Sequence, residues 1–568
     1  MPINPKKRND IGGARRLTQS ASEPSPTIMA GGIGSVNTSQ YHVASDVQCE
    51  SKKPEYLVPS MKEITKIPWN GLIAASTFSG CGGSSLGYKM AGFEVAWASE
   101  FVEAARDSYR ANMVPGTVLD ERDIRSVKPE DLLKSLGIRL GDLDLLDGSP
   151  PCASFSTAGK RQGGWGKVKK YSDTKQRTDD LFFEFVRILR GVMPRTFVAE
   201  NVSGLVKGVA KGYFLEILDA LKASGYRVSC KMLDAQWLGV PQARQRIIFV
   251  GVRNDMKCDN GLLAPVHPNP IAYRYSIRDA IPWIDSNTFR HVEPEADMNR
   301  FATGREWDNI GRGGQSEKYF QLVKPSVGEP CPTITANGGQ AGLASVCHPK
   351  EKRKFSIEEL KRICSFPDDF FLTGSYIQQW ERLGRAVPPL MMKAVADVVR
   401  DQILVPGIGE DTVKRRIASR RIKPLMIGQA PSAITDAAIG RKAFSGMSGS
   451  RLAIFLRVSL DKLLSSTEAI NLLDRFPGRN SEKGDDFDHR AASRAASLIN
   501  LANRKAILVG RRVAEAFNLS DMKFLEVRKI GNTQVLLLPH PSGVNSWWNE
   551  QFNVDGAVKA MRQMLMWE

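Results

Sequence analysis

The sequence predicts an α/β fold in which two separate units follow one another along the chain. Short apolar runs with the length of buried strands recur between residues 72 and 252, and several end in glycine-rich or polar turns. Amphipathic segments such as 181–192 lie between these runs and have the apolar spacing of helices. The same pattern begins again at residue 424. Chains that alternate in this way build a mainly parallel sheet with helices on its faces.

Composition and charge limit the class of protein. With 568 residues the chain is long enough for two or three domains, because single cores stop growing at about 250 to 300 residues. It has no run of about 18 apolar residues and no signal-peptide core, so we expect a cytoplasmic protein without a membrane partner. The eight cysteines include no C-x-x-C pair, so we expect no metal and no disulfide framework. The net charge of +18 favours a polyanion partner such as nucleic acid.

Changes in composition predict the domain boundaries. A tail rich in Ser, Pro and Lys should be disordered, and a basic linker should join the two α/β domains. The first domain contains a stretch rich in Pro, Gly and Arg that is too long for a plain loop, so we interpret it as a small inserted subdomain. The predicted ranges are 1–68 for the tail, 69–404 for the first domain, 255–330 for its insertion, 405–423 for the linker and 424–568 for the second domain.

The first predicted strand leads directly into a glycine-rich turn. The run LIAASTF begins at Leu72, and the turn occupies 79–87. Glycines allow a close approach of the backbone to a ligand, but the Gly-Lys-Ser/Thr of a phosphate-binding NTPase loop is missing. A second predicted strand ends in Glu100, about 20 residues further on, where nucleotide-binding folds place an acid for ribose hydroxyls. Asp123 and Ile124 follow a third short segment and are candidates to face an adenine ring.

A cysteine on a rigid turn is the strongest candidate for chemistry in this domain. Residues 142–147 form an apolar run with acidic edges, which predicts a buried strand. The turn formers at 148–151 would end this strand and hold Cys152 beyond its carboxyl end, where α/β folds place reactive groups. A lone cysteine is more often a packing residue. Here the two prolines before it, the polar SFST segment after it and a basic loop beyond favour a nucleophile.

The loop that follows Cys152 is basic and contains several glycines. It is either a solvated loop or a lid that closes on phosphates, and its position beside the candidate nucleophile favours the lid. Its charged residues are Lys160, Arg161, Lys167, Lys169, Lys170, Lys175 and Arg177, against one acid, Asp173.

Two further blocks supply a carboxylate and two arginines. The strand predicted at 196–199 ends in Glu200, and the Asn and Val that follow indicate a carboxylate that is held and partly buried rather than a surface charge. The block QARQR places Arg244 and Arg246 directly before a strand predicted at 247–252. We therefore expect a charged cluster near Cys152.

Across residues 72 to 403 these blocks resemble the DNA cytosine-5 methyltransferases. The blocks FSGCGG, GSPPCASFS, AENV, QARQR, PTIT and GRAVPP occur in the order of that family. The resemblance implies a Rossmann-like domain that binds S-adenosylmethionine, and it implies that the insertion at 255–330 is the target-recognition domain. It also implies double-stranded DNA as substrate, a location on the nucleoid, action as a monomer and a partner restriction endonuclease. The alternatives are an RNA substrate, since one branch of the family modifies tRNA, or a catalytically silent DNA-binding module.

The resemblance also implies roles for individual residues. Cys152 would add to C6 of a cytosine that has been flipped out of the duplex, and Glu200 would hydrogen-bond the N3 and N4 edge of the base. Arg246 would bind O2 of the base, and Arg244 would support it. The matching cofactor positions are Phe78, Gly80, Gly82, Glu100, Asp123 and Ile124.

Two positions depart from the pattern of the family. Ala153 replaces the usual Gln after the nucleophile, and Arg385 replaces the usual Asn of the last block, which puts one cofactor contact in doubt. Neither change removes a group that performs the chemistry.

The second α/β domain contains a different pair of motifs. GQAPS follows a predicted strand, a G-x-x-x-F-x-G-x-x-G run follows at 440–449, and HPSG comes after a later strand. Over residues 424–568 this arrangement resembles the uracil-DNA glycosylase superfamily. The resemblance implies a base pocket in which Phe444 stacks on the base and His540 stabilises charge on the leaving base. Gln429 and Asn471 would complete the pocket.

The sequence leaves three interpretations of this domain open. Hydrolysis in the superfamily usually needs Asp, Glu or Asn beside the first motif, but Gln429 and Ala430 occupy those places and Asp436 is the nearest substitute. The iron–sulfur cysteines of some relatives are also missing. The domain is therefore an active glycosylase, a base-binding module without chemistry, or a structural remnant that grips DNA, with the first two favoured.

Overall fold

The computed structural model contains two α/β units, each with its own sheet and its own apolar core. It describes residues 27–29, 53–113, 116–151, 169–171, 174–176, 180–206, 210–286, 290–432, 443–480, 484–501, 504–542 and 545–565. The predicted α/β class is confirmed. None of the helices in this part of the chain combines the length and the apolar run that crossing a bilayer requires.

The first unit is organised around an eight-stranded sheet. The strands of the unit are Thr27–Met29 (β1), Ile73–Thr77 (β2), Glu94–Ser99 (β3), Val118–Asp120 (β4), Leu145–Gly148 (β5), Lys169–Tyr171 (β6), Thr174–Gln176 (β7), Thr196–Val202 (β8), Tyr226–Asp234 (β9), Gln242–Ala243 (β10), Gln245–Arg253 (β11), Lys257–Cys258 (β12), Gly261–Leu262 (β13) and Cys331–Pro332 (β14). The order in the sheet is β1-β9-β11-β8-β5-β2-β3-β4. Strands β4, β3, β2, β5 and β8 run parallel, whereas β11 runs antiparallel to β8. The start of β11 therefore lies at the edge where the parallel strands end.

Helices cover both faces of this sheet. They are Met61–Lys66 (α1), Gly83–Met90 (α2), Glu103–Asn112 (α3), Pro129–Leu136 (α4), Leu181–Val192 (α5), Ala210–Lys222 (α6), Ile277–Ala280 (α7), Ala302–Asn309 (α8), Ile357–Ile363 (α9), Tyr376–Arg385 (α10), Pro389–Val399 (α11), Val405–Ile408 (α12) and Glu410–Ile422 (α13). Gly87 lets α2 lie against α11, because a Cβ at this position would come within 2.7 Å of Met392 Cβ. The predicted helix 181–192 matches α5.

The predicted insertion has a small apolar cluster of its own. The members of this cluster are Met298, Ile310, Leu322, Ala341 and Cys347. The cluster extends beyond the predicted end at residue 330, because pairing of Val323 with Val346 brings the following segment into it. The interval 255–330 therefore covers only part of this packed region.

Part of the tail predicted to be disordered is ordered in the structure. Helix α1 begins with a capping box between Ser60 and Glu63 and buries Met61 and Ile64. Tyr56 is also buried, and its hydroxyl donates to the Arg362 carbonyl at 2.7 Å. The prediction of disorder is wrong for residues 53–68, because a few apolar side chains separated by polar residues bury themselves against distant helices.

The predicted basic linker is helical and docked. Residues 410–422 form α13, in which Val413 is buried against Gly71. Arg416 donates to the buried Asp144 carboxylate at 3.0 Å. The positive charges of the predicted linker therefore serve partly to attach helix α13 to the first unit.

The second unit is built on a five-stranded sheet. The strands of this unit are Leu425–Gly428 (β15), Glu468–Asn471 (β16), Arg479–Asn480 (β17), Gly484–Asp485 (β18), Lys505–Val509 (β19), Val527–Ile530 (β20) and Thr533–Leu538 (β21). The order in the sheet is β16-β15-β19-β21-β20, and only the β20–β21 pair runs antiparallel. The helices described in this unit are Met447–Phe455 (α14), Leu460–Ser466 (α15), His489–Ser497 (α16), Arg511–Ala516 (α17) and Gln551–Leu565 (α18).

Contacts between the two units are made largely by arginines. Arg110 of α3 donates to the Asp474 carboxylate at 2.8 Å. Arg494 of α16 reaches back to Asn112 Oδ1 at 2.7 Å and lies over the Phe371 ring. These contacts join α3 to the segment that follows β16.

Candidate active site

The glycine-rich turn after β2 adopts a backbone that few side chains tolerate. Phe78, Gly80 and Gly82 have φ angles of +54°, +56° and +101°. A left-handed phenylalanine is strained, and such strain concentrates at ligand-binding turns. None of the described residues lies within 4 Å of the place where a Gly80 Cβ would be, so this side of the turn is open to a ligand as far as the described part of the chain goes. Gly82 instead faces the Tyr109 ring.

Glu100 lies directly beyond β3 and is tied to this turn. One carboxylate oxygen accepts the Gly80 N–H at 2.7 Å, and the other accepts the Val102 N–H at 2.7 Å. Burial raises the pKa of Glu100, and the backbone hydrogen bonds oppose that increase. Each oxygen keeps a lone pair that can accept from a hydroxyl. The structure thus brings Gly80 and Glu100 together, as expected for a nucleoside-binding edge.

The next two predicted cofactor residues have different surroundings. Asp123 caps a short 3₁₀ segment by accepting the Arg125 N–H at 3.0 Å and forms an ion pair with the same arginine. Ile124 is buried in the main core. Arg385, the departure noted in the last block, pairs with Glu381 one turn earlier in α10.

The tip of β5 is held against the neighbouring strand β8. Gly148 is needed because a Cβ there would lie 2.5 Å from the Phe185 ring and 2.7 Å from Thr77 Oγ1. Asn201 Nδ2 donates to the Pro150 carbonyl at 3.3 Å. Cys152 and the basic loop residues 153–168 lie outside the described residues. What the structure describes is therefore the support that presents Cys152.

A buried ion pair lies at the same edge of the sheet. Glu200 lies opposite Ile248 in the β8–β11 register, and Arg246 is two residues earlier on β11, so both side chains project from one face. Arg246 Nε lies 2.6 Å from Glu200 Oε1, and both residues are largely buried. Burial raises the pKa of Glu200, whereas the charges of Arg246 and Arg244 act against the increase.

Arg244 has a supporting position rather than an exposed one. Its side chain is fully buried and donates to the Ile334 carbonyl at 3.1 Å and the Gly384 carbonyl at 2.9 Å. It therefore joins three sequence blocks, QARQR, PTIT and GRAVPP, that lie far apart in the chain. This agrees with the supporting role expected for it.

One buried acid of this region was not among the predicted site residues. Asp147 on β5 is 1% exposed and accepts hydrogen bonds from Ser76 at 2.8 Å and Tyr88 at 3.1 Å. The sequence showed it only as the acidic end of an apolar run. An acid three residues before a pair of prolines is the signal that could have identified it.

Comparison with known proteins identifies the first unit. The family model of the C-5 cytosine-specific DNA methylases matches residues 73–400, which is more than half of the chain. The chain belongs to this family. The methyl donor of these enzymes is S-adenosylmethionine, and the turn at Gly80 with the Glu100 carboxylate beside it suits the nucleoside part of that cofactor.

Two type II methyltransferases support the same assignment. The type II methyltransferase M1.HphI of Haemophilus parahaemolyticus is 31% identical over 335 residues, which is 57% of this chain and 85% of the relative. The type II methyltransferase M.NgoFVII of Neisseria gonorrhoeae is 32% identical over 333 residues, 55% of this chain and 82% of the relative. A solved Spodoptera frugiperda DNMT2 mutant covers 57% of this chain and 97% of its own, with a TM-score of 0.41 and 19% identity.

The predicted pocket residues of the second unit lie at the carboxyl edge of its sheet, in two pairs beside two glycines. A Cβ at Gly428, the last residue of β15, would lie 2.5 Å from Asn471 Oδ1 and 2.8 Å from Phe444 Cζ. A Cβ at Gly510, just after β19, would lie 2.6 Å from Gln429 Nε2 and 3.4 Å from His540 Cβ. Two glycines on adjacent strand ends thus leave room for all four predicted side chains.

The backbone of this second pocket is held by two kinds of constraint. Phe444 has a left-handed φ of +61°. The His540 carbonyl accepts from Asn545 Nδ2 at 2.8 Å and from Trp548 Nε1 at 3.2 Å. The family model of the uracil DNA glycosylase superfamily matches residues 417–563, a range that contains all four predicted residues. Asp436, the suggested substitute for a catalytic acid, lies outside the described residues.

Proposed function

We propose that this protein methylates C5 of cytosine in double-stranded DNA through a covalent bond between Cys152 and C6 of a flipped base. The observation that supports the proposal best is the buried pair of Glu200 on β8, the neighbour of β5, and Arg246 on β11, the next strand of the sheet. A charged pair of this kind is costly to bury unless a polar ligand uses it. The heteroatom-rich edge of a cytosine is such a ligand.

Each residue has a defined part in this reaction. Cytosine C5 is a poor nucleophile, so the Cys152 thiolate adds to C6 and sends electrons toward C5 and N3. A free thiol with a pKa of about 8.5 is only a few per cent ionised at neutral pH, and nearby cations such as the basic loop would enrich the thiolate. S-adenosylmethionine supplies the methyl group that C5 takes. Loss of the C5 proton and departure of the thiolate then restore the ring.

Glu200 and Arg246 act on the base rather than on the methyl group. Burial raises the pKa of Glu200, which favours the protonated carboxyl that can donate to N3. Arg246 lies beside it and would bind O2, the other position at which negative charge collects. Arg244 holds this pair in place through the Ile334 and Gly384 carbonyls.

A methyl-transfer assay tests the proposal. Labelled methyl from S-adenosylmethionine should enter duplex DNA with the wild-type protein and should fall to background with Cys152→Ser. Bisulfite sequencing of the product should place the label at C5 and show the preferred sequence. Transfer that survives Cys152→Ser would overturn the covalent route, and preferential labelling of tRNA in a mixed reaction would overturn the DNA substrate.

We also infer a biological setting from the names of the relatives. M1.HphI and M.NgoFVII are type II methyltransferases, a term for enzymes that accompany restriction endonucleases. The protein then acts as a monomer on chromosomal DNA in the cytoplasm and protects sites that a partner endonuclease would cut. DNA from expressing cells should resist one type II endonuclease, and sensitivity to every enzyme of a broad panel would argue against this role.

A second function for residues 417–563 is the binding or slow excision of an unusual base. The observation that favours it is the arrangement at two adjacent strand ends, where one pair of side chains lies beside Gly428 and the other beside Gly510. The pairs are Phe444 with Asn471, and Gln429 with His540. These side chains can stack on a base, read its edge and stabilise it as a leaving group, but Gln429 is a poor proton acceptor. Excision, if it occurs, therefore relies on stabilising the leaving base, which alone contributes about 10² to 10³-fold.

The full chain with Cys152→Ser separates these outcomes, because methyl transfer is then removed. It should be incubated with duplexes that contain uracil, a thymine mismatch or 5-methylcytosine. Abasic sites that require His540 would establish excision, and tight binding of one duplex without cleavage would establish a reader. If neither abasic sites nor tight binding is found, the domain has a structural role.

A further inference from the structure

Asp147 is the centre of a buried hydrogen-bond network between the cofactor turn and the strand that leads to Cys152. Ser76 Oγ donates to one carboxylate oxygen at 2.8 Å, and Tyr88 of α2 donates to the other at 3.1 Å. Ser79, in the glycine-rich turn, donates to Ser76 Oγ at 3.2 Å. Thr77 Oγ1 adds a bond to the Asp147 carbonyl at 2.9 Å.

The position of this network follows from the sheet. Ser76 and Asp147 are direct partners in the parallel β2–β5 register. The first strand ends just before the turn with Phe78 and Gly80, and the second ends four residues before Cys152. A single carboxylate therefore joins the place where the methyl donor binds to the support of the nucleophile.

Among the described residues, no cation is directly bonded to this buried carboxyl. The described groups that act on it are the hydroxyls of Ser76 and Tyr88 and the charge of Glu200 on β8. Helix α11, which packs against α2 on this face, contributes apolar side chains such as Met391. Burial raises the pKa of Asp147 to about 7, the charge of Glu200 acts in the same direction, and the two hydroxyls act against it.

We propose that Asp147 is a positioning residue for methyl transfer. In its ionised form Asp147 draws the Ser76 and Tyr88 hydroxyls together and fixes the cofactor turn relative to Cys152. The inference rests on the proposed function of Cys152 and Glu200. Bonds to a charged acceptor are roughly twice as strong as bonds to a neutral one, so ionisation tightens the network. The negative charge also helps Glu200 to keep the proton that it offers to N3.

The pH dependence of Asp147→Asn separates this role from a purely structural one. The amide of the variant mimics the neutral acid. The kcat of the variant should therefore match that of wild type within about twofold at pH 6. At pH 8 it should be about tenfold lower than that of wild type, because the variant lacks the charge-assisted bonds. Both proteins contain Cys152, so the effect of its ionisation cancels when the rate of the variant is divided by the rate of wild type at the same pH. A ratio that is constant from pH 6 to pH 8 would overturn the proposal.

Asp144→Asn is the matched control. Asp144 precedes the same strand and is equally buried, but its partners are Arg195, Arg416 and the Ile73 N–H at the opposite end of the sheet. We expect lower thermal stability for this variant and an unchanged pH profile of kcat. A changed profile would show that any buried acid of this strand affects the rate, which contradicts a specific role for Asp147.

If Asp147→Asn does not fold, variants that each lack one hydroxyl of the network provide a second test. Each hydroxyl lowers the pKa of Asp147, so Ser76→Ala and Tyr88→Phe should both move the ionisation seen in kcat to higher pH. No shift in either variant would overturn the proposal. Loss of methyl transfer in wild type itself, or its survival in Cys152→Ser, would contradict the proposed function instead.

Discussion

The two sites occupy equivalent places in their sheets but contain different chemical groups. Each lies at the carboxyl edge of parallel strands and includes a phenylalanine with a left-handed backbone, Phe78 in the first unit and Phe444 in the second. The first site has a buried carboxylate paired with an arginine, Glu200 and Arg246. The described residues that meet in the second pocket are two amides, an aromatic ring and a histidine.

This difference indicates that the groups of the first site suit activation of a base, whereas those of the second suit recognition of a base. Attack on cytosine needs a proton donor at N3 and a counterion at O2, and a carboxyl–guanidinium pair supplies both. Amide and aromatic side chains read and stack a base but transfer protons poorly. The same sheet edge can therefore support covalent chemistry in one unit and mainly recognition in the other.

Removing the charge of the first site should have the largest effect. Glu200→Gln is nearly isosteric, but the amide cannot give a proton to N3, so we expect methyl transfer to fall by roughly 10² to 10⁴-fold. Single-turnover transfer to duplex DNA measures the loss, and the melting temperature verifies that folding is retained. A rate within a few-fold of wild type would show that this carboxylate is structural and that the contrast between the sites is false.

Removing the histidine of the second site should affect only that site. If His540 stabilises a leaving base, His540→Ala should lower any excision of uracil or thymine by about 10² to 10³-fold. Methyl transfer by the same variant should stay at the wild-type rate, because the two pockets lie in different sheets. A parallel loss of both activities would mean that the two sites work as one.

The support of the first site should be more costly to lose than that of the second. Arg244→Met keeps the aliphatic packing but leaves the Ile334 and Gly384 carbonyls without their donor. At about 1 to 3 kcal/mol for each unsatisfied group, we expect a loss of roughly 2 to 6 kcal/mol in the stability of the first unit. Hydrogen exchange of β11 amides measures this loss. Retained protection would show that solvent or a neighbouring group replaces the arginine.

The smallest effect is expected behind His540. Asn545→Ala removes one of two donors to the His540 carbonyl, and Trp548 keeps the other, so the loss should be about 1 kcal/mol. Hydrogen exchange in β21 gives the value. A loss as large as that for Arg244→Met would show that the second pocket is as rigidly supported as the first.

The strands and the order of the motifs could be predicted from the sequence because their signals are local. Runs such as 94–99 and 181–192 need only their own hydrophobic period, and the observed elements have these bounds. Other boundaries were less accurate. Glu200 was expected at the tip of its strand and lies within β8, since pairing with β11 extends the ladder through Val202.

Several features depended on partners that are distant in the chain. Residues 53–68 have too few apolar side chains to order themselves, yet they are held because Tyr56 donates to the Arg362 carbonyl and the Met61 N–H donates to Asp369. The basic stretch 410–422 has no clear apolar face and is fixed by the contact of Arg416 with Asp144. In both cases the stabilising group lies about 270 residues or more away in the chain from the residue that it contacts, so no local sequence pattern contains both.

The sequence by itself determined the fold class, the family and the candidate residues Glu200, Arg246 and His540, because each stands at a fixed offset from a strand end. Only the tertiary structure decided how these residues are used. The antiparallel direction of β11 brings Arg246 to Glu200, and the β2–β5 register brings Ser76 to Asp147. Local periodicity specifies where a strand ends, whereas the ion pairs and hydrogen bonds of a site depend on which strands become neighbours.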